Sequence, residues 1–304
     1  MTQLLNALPG ALAQGLIWGV MAIGVYITYK VLDIADLTVD GSICTGAAVC
    51  TMLLLGGQSP WLALLCAVLA GVLAGAVTGL LHVGLGIPPI LAGILTQMVL
   101  WSVNLKLLGK ANQALPARTT PVLLSQMDVG GALPVLLGFC VVLVALLVLF
   151  FGTELGCALR ATGCNPVMSR AQGVNTGLMK VIGLALSNGV VALSGALLCQ
   201  YQGYTDVNMG RGAVVIGLAA VVIGQAVLGR RGGRMAVQLG GVILGAVIYY
   251  IVYKVIIFAG FDTDLLKMFS AVVVAVFLGA PHVKAQLKAH SRSKKGDSGH
   301  AENE

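Results

Sequence analysis

Charged residues make up only 10% of this 304-residue chain, against roughly a quarter in soluble domains, and that shortage excludes an ordinary water-soluble fold. Aromatic residues are 6%, and no basic stripe alternates with them, so the net charge of +7 does not describe a nucleic-acid surface. The seven cysteines include no CxxC pair and mostly sit inside apolar runs, which argues against a metal site or a disulfide framework and makes them small packing residues. Cys157 and Cys164 lie in polar sequence, but no His or third Cys stands near them. A phosphate-cradling GxxxxGK[ST] loop is missing, because the one Gly-Lys pair, Gly109 and Lys110, is followed by Ala111. No nucleophile with an accompanying His and acid stands near Asp33, Asp36, Asp40 or Asp206, so a soluble hydrolase is a weak reading of these carboxylates. No Lys or Arg precedes the first apolar run, so the basic region of a cleavable leader is absent and the first helix is expected to stay.

What fills the chain is apolar: 58% hydrophobic residues and 41 glycines, arranged in runs of about 17 to 25 residues that suit helices crossing a hydrocarbon core roughly 30 Å thick. The expected fold is therefore all-α and polytopic, with about nine spans near 5–29, 42–55, 61–81, 88–108, 133–151, 180–200, 212–228, 235–253 and 265–280. Residues 1–281 form the membrane domain, interrupted by a polar loop over 152–178, and the Ser- and Lys-rich residues 282–304 read as a disordered cytoplasmic tail. With that tail inside, twelve of the 18 Lys and Arg residues fall on the cytoplasmic side, which favours an outside N-terminus and an inside C-terminus.

A shift of 171 positions places Gly24 on Gly195, Gly41 on Gly212, Gly46 on Gly217 and Ala48 on Ala219. Five spans separate the two copies, so they run in opposite directions, the inverted-topology arrangement recurrent in transporters. The repeat equates two polar junctions, 33–41 (DIADLTVDG) and 204–212 (YTDVNMGRG), each a candidate to enter the membrane as a broken stretch. Small residues four apart at Gly71, Gly75 and Gly79, at Gly15 and Gly19, and at Gly241 and Gly245 mark faces for close helix approach.

Polar side chains within spans either fasten helices together or line a path. The candidates are Thr96, Gln97, Asn104, Asn188 and Gln225, a set without charge that suits a neutral or zwitterionic solute better than a proton relay. Asp33, Asp36 and Asp40 form either a solvated loop or the acidic rim of a gate, with Asp36 and Asp40 the gate candidates. Asp206, Asn208 and Arg211 form a second polar group, Asp206 and Arg211 either contacting a docking protein or pairing with each other. In the polar loop, Asn165 suits an N-cap, Pro166 the first helical position and Gly173 the left-handed residue past the end, so 166–172 is expected to be a short helix. Such a helix is marginal alone and needs a partner surface.

The segment LRATGCNPVMSRAQGVNT, residues 159–176, resembles the cytoplasmic loop of permeases in the branched-chain amino acid and ribose class of ABC importers, and GVYITYKVLDIADLTVDGSICTGAAV resembles their first Gly-rich junction. The resemblance covers nearly the whole chain up to about Ala280. It implies a permease subunit in a bacterial-type inner membrane, paired with a second permease copy, a homodimer or a related partner. It also implies cytoplasmic ATPase subunits that carry ATP and Mg on their own chains, and an extracytoplasmic solute-binding protein. By position, residues 165–173 would form the ATPase-coupling helix, with Asn165, Pro166, Val167, Met168, Arg170, Gln172 and Gly173 in its contact set and Arg160 and Arg170 pairing with acidic groups of the ATPase groove. The sequence DLTVDG departs from both the ribose-branch form and the NFAHG-like form. It looks most like a branch for which amino acids, aromatic ones among them, are suggested solutes. A sugar or nucleoside importer is one alternative. An ion-coupled secondary transporter is another, disfavoured by the want of an intramembrane carboxylate.

Overall fold

Helix starts in this chain are written by short polar side chains placed just ahead of apolar runs. The computed structural model describes residues 2–116, 120–228 and 234–258, with residues 268, 272 and 275, and gives side chains from Leu8 onward. Helix α1 (Thr2–Tyr26) passes into a π-helical turn, Ile27–Val31, and is followed by α2 (Val39–Leu55), α3 (Pro60–Gly84) and α4 (Pro89–Leu108). After strand β1 (Asn112–Ala114) come α5 (Val129–Gly152), α6 (Glu154–Cys164), α7 (Pro166–Ala171) and α8 (Thr176–Gln202). Strand β2 (Tyr204–Asp206), α9 (Ala213–Leu228) and α10 (Met235–Phe258) follow. Ser59 caps α3 ahead of Pro60, Asp128 caps α5, Thr153 caps α6 and Asn175 caps α8, each side-chain oxygen accepting an otherwise orphaned backbone N–H. Helices α4 and α8 stop at Gly109 and Gly203, both left-handed at φ 71° and 75°.

Six of these helices are long and apolar enough to cross a membrane: α1 with its turn, α3, α4, α5, α8 and α10. Helices α2 and α9 are apolar but shorter, and the expected ninth span, 265–280, lies outside the described residues. The helices make the chain all-α in class, and beside them β1 and β2 form one short ribbon, paired antiparallel with Asn112 opposite Asp206. Their run of polar and turn residues cannot continue a helix, and pairing satisfies backbone groups at that end of the bundle. A second helix in the polar loop, α6, was not expected; its mixed sequence lacks a continuous apolar run.

Helices α1 and α8 lie at the centre and α4 and α5 at the margin, with 78%, 72%, 22% and 22% of their apolar windows buried. Glycine sets the close approaches. On α3, a side chain at Gly75 would fall on the Leu184 carbonyl of α8, and one at Gly79 would lie 2.8 Å from the Val181 Cα. A side chain at Gly15 of α1 would come within 2.8 Å of the Val247 Cα of α10, and one at Gly245 of α10 would fall on the Ala220 carbonyl of α9. In a bilayer such backbone proximity supplies the dispersion contacts that hydrophobic exclusion from water supplies elsewhere.

The two polar junctions do not stay at the ends. Residues 32–38 climb alongside α8, from Leu32 against Gly183 to Asp36 at Asn188, and only there does α2 begin. Residues 207–212 descend along α2 from the ribbon end, with Gly210 set on the Asp40 carbonyl, and α9 begins beside Asp40. The junctions thus meet inside the bundle, which is why α2 and α9 are short.

Candidate functional site

At one end of the bundle stands α7. The Asn165 side chain accepts hydrogen bonds from Val167 N at 3.1 Å and Met168 N at 3.0 Å, Pro166 occupies the first helical position, and Gly173 is left-handed at φ 83°. Val174 N returns to the Ser169 carbonyl at 3.0 Å, closing the C-terminal turn. Ser169 faces inward, whereas Val167 and Met168 are 79% and 61% exposed. Two largely exposed apolar side chains projecting from a capped helix form a candidate contact surface. Arg170 donates to the Thr176 hydroxyl at 3.1 Å, and Arg160 lies exposed with a guanidinium nitrogen 3.5 Å from Cys157 Sγ. Gln172, also exposed, ends the helix. The helix is joined to the bundle through α6, whose Gly163 packs so closely on the Val31 carbonyl that no side chain would fit there.

In the interior, Asp36 is buried and held rather than solvated. Its carboxylate accepts from Thr38 N at 2.8 Å and from the Asn188 amide at 2.7 Å. Asn188 in turn accepts from the Ser42 hydroxyl at 2.6 Å and donates to the Leu184 carbonyl at 2.9 Å, so one side chain ties the junction, α2 and α8 together. A hydroxyl chain extends this link, with Thr38 2.9 Å from Thr78 and Thr78 donating to Thr96 at 3.0 Å. For Asn188 and Thr96, fastening is therefore the role visible in the geometry. Asp40 is not a free acidic rim either: it caps α9 across the bundle, accepting from Gly212 N and Val214 N at 3.0 Å each. A charge at a helix N-terminus is favoured by the exposed N–H groups it meets.

Beside Asp40 opens a pocket of about 550 Å³, within the range of small-molecule sites. Gln97 and Asn104 of α4 line it together with Met98 and Trp101, and Arg211 joins from the other junction. Gln225, by contrast, is exposed on α9 and is not part of this lining, so the expected path residues do not form one set. Asn104 is 1% exposed, and among the described residues its amide makes no hydrogen bond beyond a weak approach to the Cys44 thiol. A buried polar group left unpaired costs about 1–3 kcal/mol. Cys44, beside it, turns its thiol to the carbonyls of Asp206 and Val207 at 3.5 and 3.4 Å. Sequence reasoning missed Ile94, Met98 and Trp101, although with Gln97 and Asn104 they recur at helical spacing along one face of α4.

Of the remaining group, Asp206 accepts from Asn208 N at 2.7 Å and lies 3.5 Å from the Asn112 amide, while Arg211 forms no ion pair among the described residues. Asn208 and Arg211 are exposed. Among the described residues no cluster of three metal-ligating side chains occurs.

The family described as branched-chain amino acid transport system / permease component matches residues 8–280. The chain belongs to this family. It is 37% identical to the tyrosine transport system permease protein of Clostridioides difficile over 93% of this chain and 94% of that one. It is 26% identical to a fructose import permease protein of Bifidobacterium longum over 86% of this chain and 73% of that one. It is 29% identical to an autoinducer 2 import system permease protein of Escherichia coli, covering 67% and 60% of the two chains. No solved structure matches. This family member is thus a multi-pass membrane protein and a permease subunit of an ABC importer for a small solute, not an enzyme.

Proposed function

We propose that this permease moves an amino acid or a related compound, and that a separate ATPase chain drives it through α7. The observation that carries the coupling half is the exposure of Val167 and Met168 on a helix capped at both ends and tied to the bundle through Gly163 and Val31. Force applied at α7 has a short mechanical route: α6, the π-helical turn, the junction holding Asp36, then α2 and α8. Closure of ATP and Mg between two ATPase subunits would rock this unit as a rigid body. The solute half is supported by the relative named for tyrosine transport, which this chain matches almost end to end.

The two halves behave as inverted repeats in this reading. The pairings support it: α1 packs on α10 and α8 on α3, the exchange expected if α1 corresponds to α8 and α3 to α10. The meeting of the two junctions at Asp40 and Gly210–Gly212 supports it as well, each serving as the interrupted stretch of its own half. With the N-terminus outside, α7 faces the cytoplasm. Helix α8, 27 residues long, separates it by roughly 40 Å from the β ribbon, where Asp206 and the adjoining Asn208 would meet the solute-binding protein. The exposed apolar residues of α3, and those of α4 away from the pocket such as Leu95, Val99 and Leu107, are available to lipid and to a second permease copy, in this reading an identical one.

Purification in mild detergent with a co-expressed ATPase of the same importer tests the assignment. Stable co-elution is expected, and co-elution that persists unchanged after deletion of residues 165–173 overturns α7 as the contact.

A further inference from the structure

We propose that the pocket between α2, α4 and the 207–211 segment is a transit site on the permease itself, one that reads the carboxylate of a small zwitterion with an apolar or aromatic body. This rests on the reading of the chain as a solute path and adds a place where the solute is recognised after it leaves its binding protein. Three observations converge. Asn104 is buried against the pocket with an amide that can both donate and accept and that, among the described residues, meets only the weakly bonding Cys44 thiol. Arg211 brings a guanidinium to the same lining with no ion-pair partner among the described residues, and its planar fork matches a carboxylate. Ile94, Met98 and Trp101 supply an apolar wall on which a side chain or ring can rest.

The charges in the lining select among solutes. Asp40 lies in the same pocket as Arg211, but its two oxygens already accept the Gly212 and Val214 amides, so it does not neutralise the guanidinium by direct pairing. Each carboxylate oxygen keeps a second lone pair, which an ammonium group can use. A zwitterion would set its carboxylate at Arg211 and its ammonium toward Asp40, with Asn104 completing the polar contacts. A neutral sugar would leave both charges unanswered. Because Asp40 also caps α9 and Arg211 lies on the junction leading into it, occupancy of this pocket would bear on the contact between the two halves.

The permease alone, in lipid nanodiscs without ATPase or binding protein, is the object to test, so that failure here leaves the coupling assignment standing. Saturation-transfer NMR with L-phenylalanine as probe is expected to show ring signals above empty nanodiscs. The signals should be at least fivefold weaker with phenethylamine, which lacks the carboxylate, and at least fivefold weaker for Arg211→Gln and Asn104→Leu. Arg211 is exposed, so Arg211→Gln should keep the wild-type elution profile, and Arg211→Lys should recover part of the signal. Equal signals from the two probes, undiminished signals in folded Arg211→Gln, or no signal from L-phenylalanine with the wild type would each overturn the site.

Discussion

Asn188 shows how a single amide organises the interior. Its oxygen accepts from Ser42 and its nitrogen donates to Asp36 and to the Leu184 carbonyl, so all its strong contacts are internal. Replacing it by Leu leaves the Asp36 carboxylate short of a donor in a site that is 5% exposed. Asn188→Leu is therefore expected to destabilise the protein by roughly 2–3 kcal/mol, read as a lowered unfolding midpoint in detergent, whereas Ser42→Ala, which removes one donor, should cost about 1 kcal/mol. An unaltered midpoint for Asn188→Leu would show that the network is dispensable. Asn104 differs: two asparagines in apolar helices look alike in sequence, and only packing makes one a fastener and leaves the other with no partner stronger than the Cys44 thiol among the described residues.

Among the elements, α6 and the π-helical turn form a joint whose tightness depends on one glycine. A side chain at Gly163 would meet the Val31 carbonyl and the Leu32 Cα at 3.0 Å, so Gly163→Leu must push α6 away from the bundle at a cost of about 1–3 kcal/mol. Hydrogen exchange over residues 154–171 should then lose protection while α3 and α8 keep theirs; retained protection in α6 would contradict the joint. The individual helices were largely legible in the sequence, because long apolar runs and residues such as Ser59, Asn165 and Gly203 state where helices begin and end. Less legible was α6, whose start at Thr153 is signalled but whose mixed composition gives no apolar stripe. The role of Asp40 was not legible at all. Its partners lie 172 and 174 residues away, and no local pattern announces a cap supplied by another helix. For the same reason Gln97 and Asn104 could be nominated, but the pocket they share with Arg211 appears only when the two junctions meet.

The whole molecule has a polar ribbon at one end, an interior where two interrupted stretches touch, and a small exposed helix at the other end. In the proposed coupling, a displacement at α7 would reach the junctions through the close packing of Gly163 on Val31, a layout suited to alternating access. The account stands or falls on whether the exposed face of α7 transmits work. Val167 and Met168 are the residues to change, since both project outward and Val167→Ser with Met168→Ser should leave the fold intact. In proteoliposomes holding the complete importer, solute uptake and ATP hydrolysis should be measured together for the wild type and this double variant. Solute moved per ATP hydrolysed should fall at least tenfold in the double variant, with unchanged capture of the loaded binding protein; a ratio equal to the wild type's would rule out α7 as the coupling element.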